Sequence, residues 1–252
     1  MKLIENTKFE TITSDLAALE NEYRLESRLE IYSCKSGTTT ERKAFKSFVA
    51  AASPSAPDKD KEWLSPPDCV FNSGTSPVSN GSLSDTGGTS APSGGILCDT
   101  IPKKTFWYLM ATLNASYGID ADFSDVKSQM FSREPSVQWV MDRINMNFTL
   151  VLGGDFDRIR PYIWKAVDEA VVLRDCTVYS FSPDISYDPY AQEHNLWKFW
   201  YFFHNPGLKR VCFFQCRAVK NGMGSTMEPE MEGYFNSEDN ETARFQAPVS
   251  TY

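Results

Sequence analysis

Residues 196–217 restrict the fold more than any other part of the chain. The run LWKFWYFFH (196–204) is followed by Asn205-Pro206-Gly207 and then by LKRVCFFQCR (208–217). Two strand-length runs around a turn-forming tripeptide predict an antiparallel hairpin. Along its first strand Trp197, Phe199, Tyr201 and Phe203 share one face, while Trp200, Phe202 and His204 share the other. A strand wet on one side needs a single apolar face. Here both are apolar, so the hairpin belongs in a sheet covered on both sides or leaves one face for a partner. Trp197, Phe199 and Tyr201, with Lys209 and Arg210 opening the second strand, form the candidate surface, as domain core or as partner contact. An interface core and a domain core share this aromatic composition.

Other segments supply material to cover such a sheet. Phe9, Ile12, Leu16 and Leu19 follow helical spacing, as do Phe106, Leu109, Met110 and Leu113. Pro135 can stand in the first turn of a helix striped by Val137, Val140, Met141, Ile144 and Phe148. Pro161 can begin another, carrying Ile163, Trp164, Val167 and Val171. Leu29–Ser33 and Cys176–Phe181 read as further strands. The sum is an α/β (α+β) chain, a single domain whose central antiparallel sheet is packed by helices. Half of the residues from Ala51 to Thr100 are Ser, Pro, Gly or Thr, and apolar periodicity disappears there. Such a stretch buries too little to offset the entropy of ordering it. The expected organisation is therefore 1–50 and 101–219 as the two parts of one globular domain, 51–100 as a disordered insertion, and 220–252 as an acidic flexible tail.

Charge and cysteine usage narrow the function. With a net charge of −8 the chain lacks the basic face that phosphate binding requires, so direct nucleic-acid binding is disfavoured. No apolar run is long enough to cross a membrane, and the start MKLIENTKFETITSD lacks the apolar segment of a secretion signal, which reads as a soluble intracellular protein. The 6 cysteines are scattered, consistent with free thiols in a reducing compartment. Glycine pairs at 87–88 and 153–154 lack the lysine and setting of a phosphate loop. Cys212 and Cys216 would lie about 13 Å apart on a strand, too far to share one metal ion. No cofactor and no metal are expected. Two other functions stay open. The aromatic hairpin, with Lys198, Lys209, Arg210 and Arg217 beside it, could stack single-stranded RNA. A cysteine-dependent enzyme using one of the two histidines, His194 or His204, is the weaker of the two, because no flanking signature supports it.

Three separated stretches carry a resemblance that goes further. MKLIENTKFETI with LEIYSCK, then WKAVDEAVVLRDCTVYSFSPDISYDPY (164–190), then LWKFWYFFHNPGLKRVCFFQCRA (196–218), resemble in order the three conserved boxes of the Maf family of negative regulators of RNA polymerase III. KKTFWYLMATLNASY and FSREPSVQWV are also similar to its animal members. His204 stands where that family commonly has tyrosine, and Pro206-Gly207 replaces a more cationic turn. The resemblance implies a non-enzymatic repressor that binds RNA polymerase III and blocks its recruitment by the TFIIB-related subunit of the initiation factor. It implies control by nutrient-sensing kinases and phosphatases, with phosphorylation deciding between nucleus and cytoplasm. Ser65 and Ser76, each before proline, are the candidate phosphorylation sites. The boxes are expected to meet across the insertion, with Lys35 facing the acidic turn that contains Asp184 and Asp188.

Overall fold

A computed structural model describes residues 1–19, 22–35, 38–51, 60–67 and 99–221. Ser76 and the acidic run from Glu228 to Glu241 lie outside the described residues. The hairpin forms as β7 (Asn195–Asn205) and β8 (Arg210–Lys220), in register from Phe199↔Cys216 to Asn205↔Arg210. Its turn is closed by Asn205, whose Oδ1 accepts from the Leu208 amide at 2.9 Å. Around this pair a six-stranded antiparallel sheet assembles. β1 (Lys2–Ile4) and β2 (Tyr23–Ser33) lie on the β8 side, β6 (Thr177–Phe181) and β5 (Phe131–Arg133) on the β7 side, in the order β1-β2-β8-β7-β6-β5. Two short strands, β3 (Lys61–Trp63) and β4 (Thr100–Pro102), make a separate antiparallel ribbon.

Both faces of the sheet are covered. On one face α1 (Thr7–Ala18), α4 (Val137–Leu152) and α5 (Asp155–Val171) supply Ile12, Leu16, Ile144, Phe148 and Val167 against Phe199, Tyr201, Phe203, Cys212 and Phe214. On the other, α3 (Lys103–Tyr117) brings Phe106, Leu109 and Leu113 against Trp200, Phe202, Val211 and Phe213, with α2 (Thr39–Ala51) packing Phe48 at a tilt against Phe106 and Trp107. Burying an aromatic or aliphatic side chain contributes about 1.5–3 kcal/mol. The hairpin collects that gain on both faces, and of the two expectations for its aromatics the structure realises the domain core.

The helices begin and end where local chemistry permits, with two departures from expectation. Ser136 caps α4, its hydroxyl accepting from the Trp139 amide at 3.1 Å, so Pro135 stands before the cap and not in the first turn. α5 starts at Asp155, with Asp155 and Asp157 in its positive first turn, and Pro161 lies inside the helix instead of starting it. Proline carries no N–H, which leaves the Asp157 carbonyl without its helical donor. Gly153 ends α4 at φ 56°, a conformation cheap for glycine.

The larger difference concerns the insertion. Residues 60–67, within the stretch expected to be disordered, form a strap along the far edge of the sheet. β3 pairs with β4, the Leu64 amide donates to the Asp99 carbonyl at 2.9 Å, and the Ser65 amide donates to the Phe131 carbonyl at 2.9 Å. Ser65 bridges Ser132 in parallel, and its hydroxyl donates to the Gln129 carbonyl at 2.5 Å. Leu64 is buried with Ile101, Phe106 and Phe131. Composition averaged over fifty residues conceals this segment, because KEWLSPP carries just enough apolar surface to dock on an edge that already exists. Leu64→Ala should therefore lower unfolding free energy by about 2–4 kcal/mol, as expected for a truncated core residue. Chemical denaturation with an unchanged midpoint would show that the strap adds no packing.

Candidate functional site

Arg217 is the one arginine that the hairpin pattern places inside a strand otherwise made of buried residues, and it is 6% exposed. A guanidinium in that position must be paired and hydrogen-bonded, since desolvating it alone costs several kcal/mol. β2 runs antiparallel to β8 and sets Glu26 directly opposite. Arg217 Nε donates to Glu26 Oε2 at 2.9 Å, and Nη1 pairs with Glu193. Its guanidinium plane lies 3.9 Å from the Tyr190 ring centroid. Tyr190 stacks on Trp200 at 6.1 Å and 18°, and Trp200 Nε1 donates to the Tyr117 hydroxyl at 2.8 Å. Arg28 lies over the far side of that chain, 4.7 Å from the Tyr117 centroid.

The loop between β6 and β7 is held into this stack by a second ion pair. Lys198 pairs with Asp188, whose other oxygen accepts from the Tyr190 amide at 2.9 Å. Asn195 Nδ2 donates to the carbonyls of Glu193 at 2.9 Å and Tyr190 at 3.3 Å. Glu26 from β2, Asp188 to Glu193 from the loop and Lys198 to Arg217 from the hairpin thus meet in one cluster. Burial alone would raise the Glu26 pKa, but the hydrogen bonds and charge of Arg217, with help from Arg24, hold it below the usual carboxylate value. Burial would lower the Arg217 pKa, and its bonds to Glu193 and Glu26 reverse that. Beside the cluster, where β6 leaves β7, opens a cleft of about 320 Å³ between α4 and the loop, lined by Trp139, Asn147, Ser182, Pro183 and Lys198.

Among the sequence-predicted residues, Asp188 belongs to this cluster, but Lys35 does not. Cys34 donates its amide to the Lys209 carbonyl at 2.8 Å, which puts Lys35 at the hairpin-turn end of the sheet. Lys198, the partner of Asp188, lies seven residues along β7 from Asn205, about 23 Å away at the strand rise. Asp184 is exposed, its carbonyl accepting from the Tyr187 amide. The expected contact fails because antiparallel register sends the end of β2 toward the turn and the acidic loop toward the opposite end. Trp197 is half-buried, and Phe199 and Tyr201 are each 6% exposed against the helices. Arg210 Nη1 donates to the Ala170 carbonyl at 2.9 Å, and Asn205 Nδ2 to the Val171 carbonyl at 2.8 Å, so both satisfy the C-terminal end of α5. Lys209 is exposed, at φ 55°. Glu26, Tyr190 and Glu193 were not among the candidates, and Arg217 was weighed only as part of a basic patch beside the hairpin. The signal that marks them is the lone arginine in FFQCRAV, which demands a buried acid.

The alternative chemistries meet specific obstacles. A stacking platform for RNA needs exposed rings, whereas Phe199, Trp200, Tyr201 and Phe202 are buried under helices. A nucleophilic cysteine needs an accessible thiolate near a base. Burial pushes the Cys34 and Cys176 thiols up to about 12 and those of Cys212 and Cys216 well above their ordinary value. Cys212 packs under α5, while His204 lies on the opposite face, its ring 6.2 Å from that of Tyr108. Among the described residues no group of three or more His, Cys, Asp or Glu side chains could hold a metal ion.

Two measurements follow from this geometry. A double-mutant cycle of Glu26→Gln and Arg217→Met should return a coupling of about 0.5–3 kcal/mol in unfolding free energy, and additive changes would remove the pair from the account. Burial lowers the His204 pKa to about 4 from 6.5. The unfolded chain therefore takes up this proton first as pH falls. The contribution is intact above pH 6.5 and is lost progressively toward pH 4. His204→Phe should flatten the fall of the thermal midpoint across that window, and a parallel fall in both proteins would assign the pH dependence elsewhere.

Comparison with known proteins places the same segments in a wider set. Residues 25–215 match the Maf1 regulator family. The chain is 31% identical over 219 residues to the Schizosaccharomyces pombe protein named Repressor of RNA polymerase III transcription maf1, covering 87% of this chain and 83% of that one. It is 32% identical over 125 residues to the Dictyostelium discoideum protein named Repressor of RNA polymerase III transcription, covering 50% of this chain and 44% of the other. Among solved structures, citrus MAF1 in space group C 2 2 21 superposes with a TM-score of 0.51 at 26% identity, over 84% of this chain and 98% of that one.

Proposed function

The chain belongs to the Maf1 regulator family, and from that membership we propose that it represses transcription by RNA polymerase III. The observation that carries the proposal is the overlap of the family match, residues 25–215, with β2, β5 to β7 and most of β8, and with Glu26, Asp188, Tyr190, Glu193 and Lys198, the partners that gather around Arg217 just beyond its end. The proposed mechanism is binding without catalysis: the protein occupies the polymerase and prevents its recruitment by the TFIIB-related subunit of the initiation factor. A protein partner suits the net charge of −8 better than nucleic acid does. A rigid cluster of paired charges and stacked rings can present a fixed surface to such a partner with little ordering cost.

Phosphorylation at Ser65 and Ser76 by nutrient-sensing kinases, reversed by phosphatases, is proposed to relieve repression and to favour the cytoplasm over the nucleus. The strap gives Ser65 a physical route to that effect. Its hydroxyl is the donor to the Gln129 carbonyl. A phosphate ester on that oxygen carries about −1.5 to −2 charge and in its dianionic form has no proton to donate, so it would repel the carbonyl and lift the strap from β5. A kinase must itself catch the segment undocked, which makes strap release and modification mutually reinforcing.

Purified protein should inhibit promoter-dependent RNA polymerase III transcription in a reconstituted system without altering any component covalently. Phosphorylation by a proline-directed kinase should relieve that inhibition, and Ser65→Ala with Ser76→Ala should resist the relief. Transcription unaffected by stoichiometric protein would sink the repressor reading. Equal relief of the wild type and the double variant would sink the assignment of the two serines alone.

A further inference from the structure

The two edges of the six-stranded sheet are treated differently. The strap lies along β5, but β1 covers β2 only at Lys2↔Ser33, Leu3↔Tyr32 and Ile4↔Ile31. From Tyr23 to Glu30 no strand among the described residues pairs with the outer side of β2. An open edge of this length exposes unpaired backbone groups and is a template for another strand. A cleft of about 400 Å³ runs beside it, between α1 and β2, with Phe9, Thr13, Ser27 and Leu29 in its wall. The Ser27 hydroxyl is buried there with no hydrogen-bond partner among the described residues.

The sequence of the open edge, Arg24-Leu25-Glu26-Ser27-Arg28-Leu29-Glu30, is complementary to itself when reversed. With a two-fold axis through Ser27, an antiparallel second copy sets Arg24 against Glu30, Leu25 against Leu29, Glu26 against Arg28 and Ser27 against Ser27. Each of these couplings is stabilising between neighbouring strands. The neighbouring same-face registers are penalised. An axis through Glu26 sets Glu26 on Glu26 and Arg24 on Arg28, and one through Arg28 sets Arg28 on Arg28 and Glu26 on Glu30. The favourable register also ends where it must, because residue 31 is already paired to β1.

We propose that β2 is a homodimerisation edge, on which a second copy of this chain pairs antiparallel about a two-fold axis at Ser27 to join the two sheets into one. The interface is isologous, so it closes at two chains and does not propagate. Arg24 and Glu26 are partly exposed, and the guanidinium groups of Arg24 and Arg28 each have donors left after their intrachain contacts. Seven facing residues bury less than the standard interface of about 1,600 Å², which places the association in the micromolar range.

The experiment is sedimentation of the full chain from low to high micromolar concentration, where the mass should rise from one chain to two. Arg24→Glu alone sets like charges at both ends of the interface, and so does Glu30→Arg alone. Each variant should sediment as one chain while still unfolding cooperatively, at a midpoint lowered by loss of the Arg24–Glu26 pair or of the Tyr32 hydroxyl's bond to Glu30. Mixed together they restore opposite charges at both ends, and the mixture should form heterodimers at least about tenfold tighter than either variant self-associates. As a separate readout, Ser27→Cys should give, under mild oxidation, a symmetric disulfide between the two introduced thiols, identified by peptide mass spectrometry. A wild type that stays a single chain with no such bridge in the variant overturns the proposal. So does a dimer that ignores both charge variants, or a mixture that fails to associate. Mass is the readout, so the outcome is independent of whether the protein inhibits transcription.

Discussion

Burial of the β7–β8 hairpin on both faces is the constraint from which the rest of the architecture follows. Phe199, Tyr201, Phe203 and Phe214 need one cover, and Trp200, Phe202 and Phe213 need another. Neither α1, α4 and α5 on one side nor α3 on the other could be removed without leaving large aromatics in water. The central position of the two strands is the sheet-level expression of the same demand, since edge strands of a half-wet sheet tolerate polar faces. It also determines what the hairpin is free to do. Rings committed to two cores cannot serve as a stacking platform.

Where the hairpin carries charge, the fold surrounds it with partners. Lys198 and Arg217 face one another across β7 and β8, and their acids come from β2 and from the loop after β6. Tyr190 and Trp200 stack beside them, so cation, ring and carboxylate form one continuous block. The block joins β2, the loop after β6 and the hairpin more firmly than an exposed ion pair could, because exposed pairs contribute about 0–1 kcal/mol. Eleven residue pairs between β2 and β8 complete the junction through the backbone.

The two sheet edges show how a small amount of sequence decides exposure. A short strap around Leu64 suffices to occupy β5, whereas β1 reaches only the last three residues of β2. Strap and open edge therefore offer different kinds of response: one can be lifted by charge on Ser65, the other can be paired by a complementary strand.

Much of this was legible in the residues themselves. Helical spacing located α1 and α3, and the stripe from Val137 to Phe148 located α4, because amphipathic periodicity is a local property that tertiary context seldom reverses. Alternation in 196–217 called for a hairpin either covered on both faces or leaving one face for a partner, and the structure supplies both covers. Other features depended on where distant segments landed. Composition assigned Leu64 and Ser65 to a disordered stretch, since docking energy comes from an edge that the local sequence does not contain. Pro161 suggested a helix start that Asp155 and Asp157 place six residues earlier. Lys35 seemed a partner for Asp188 because the similar stretches were expected to meet there, but strand direction carries them to opposite ends, and Lys198 takes Asp188 instead. Side-chain period is written in the sequence two or four residues at a time. Register, which decides who faces whom, is settled only when strands far apart in the chain pair.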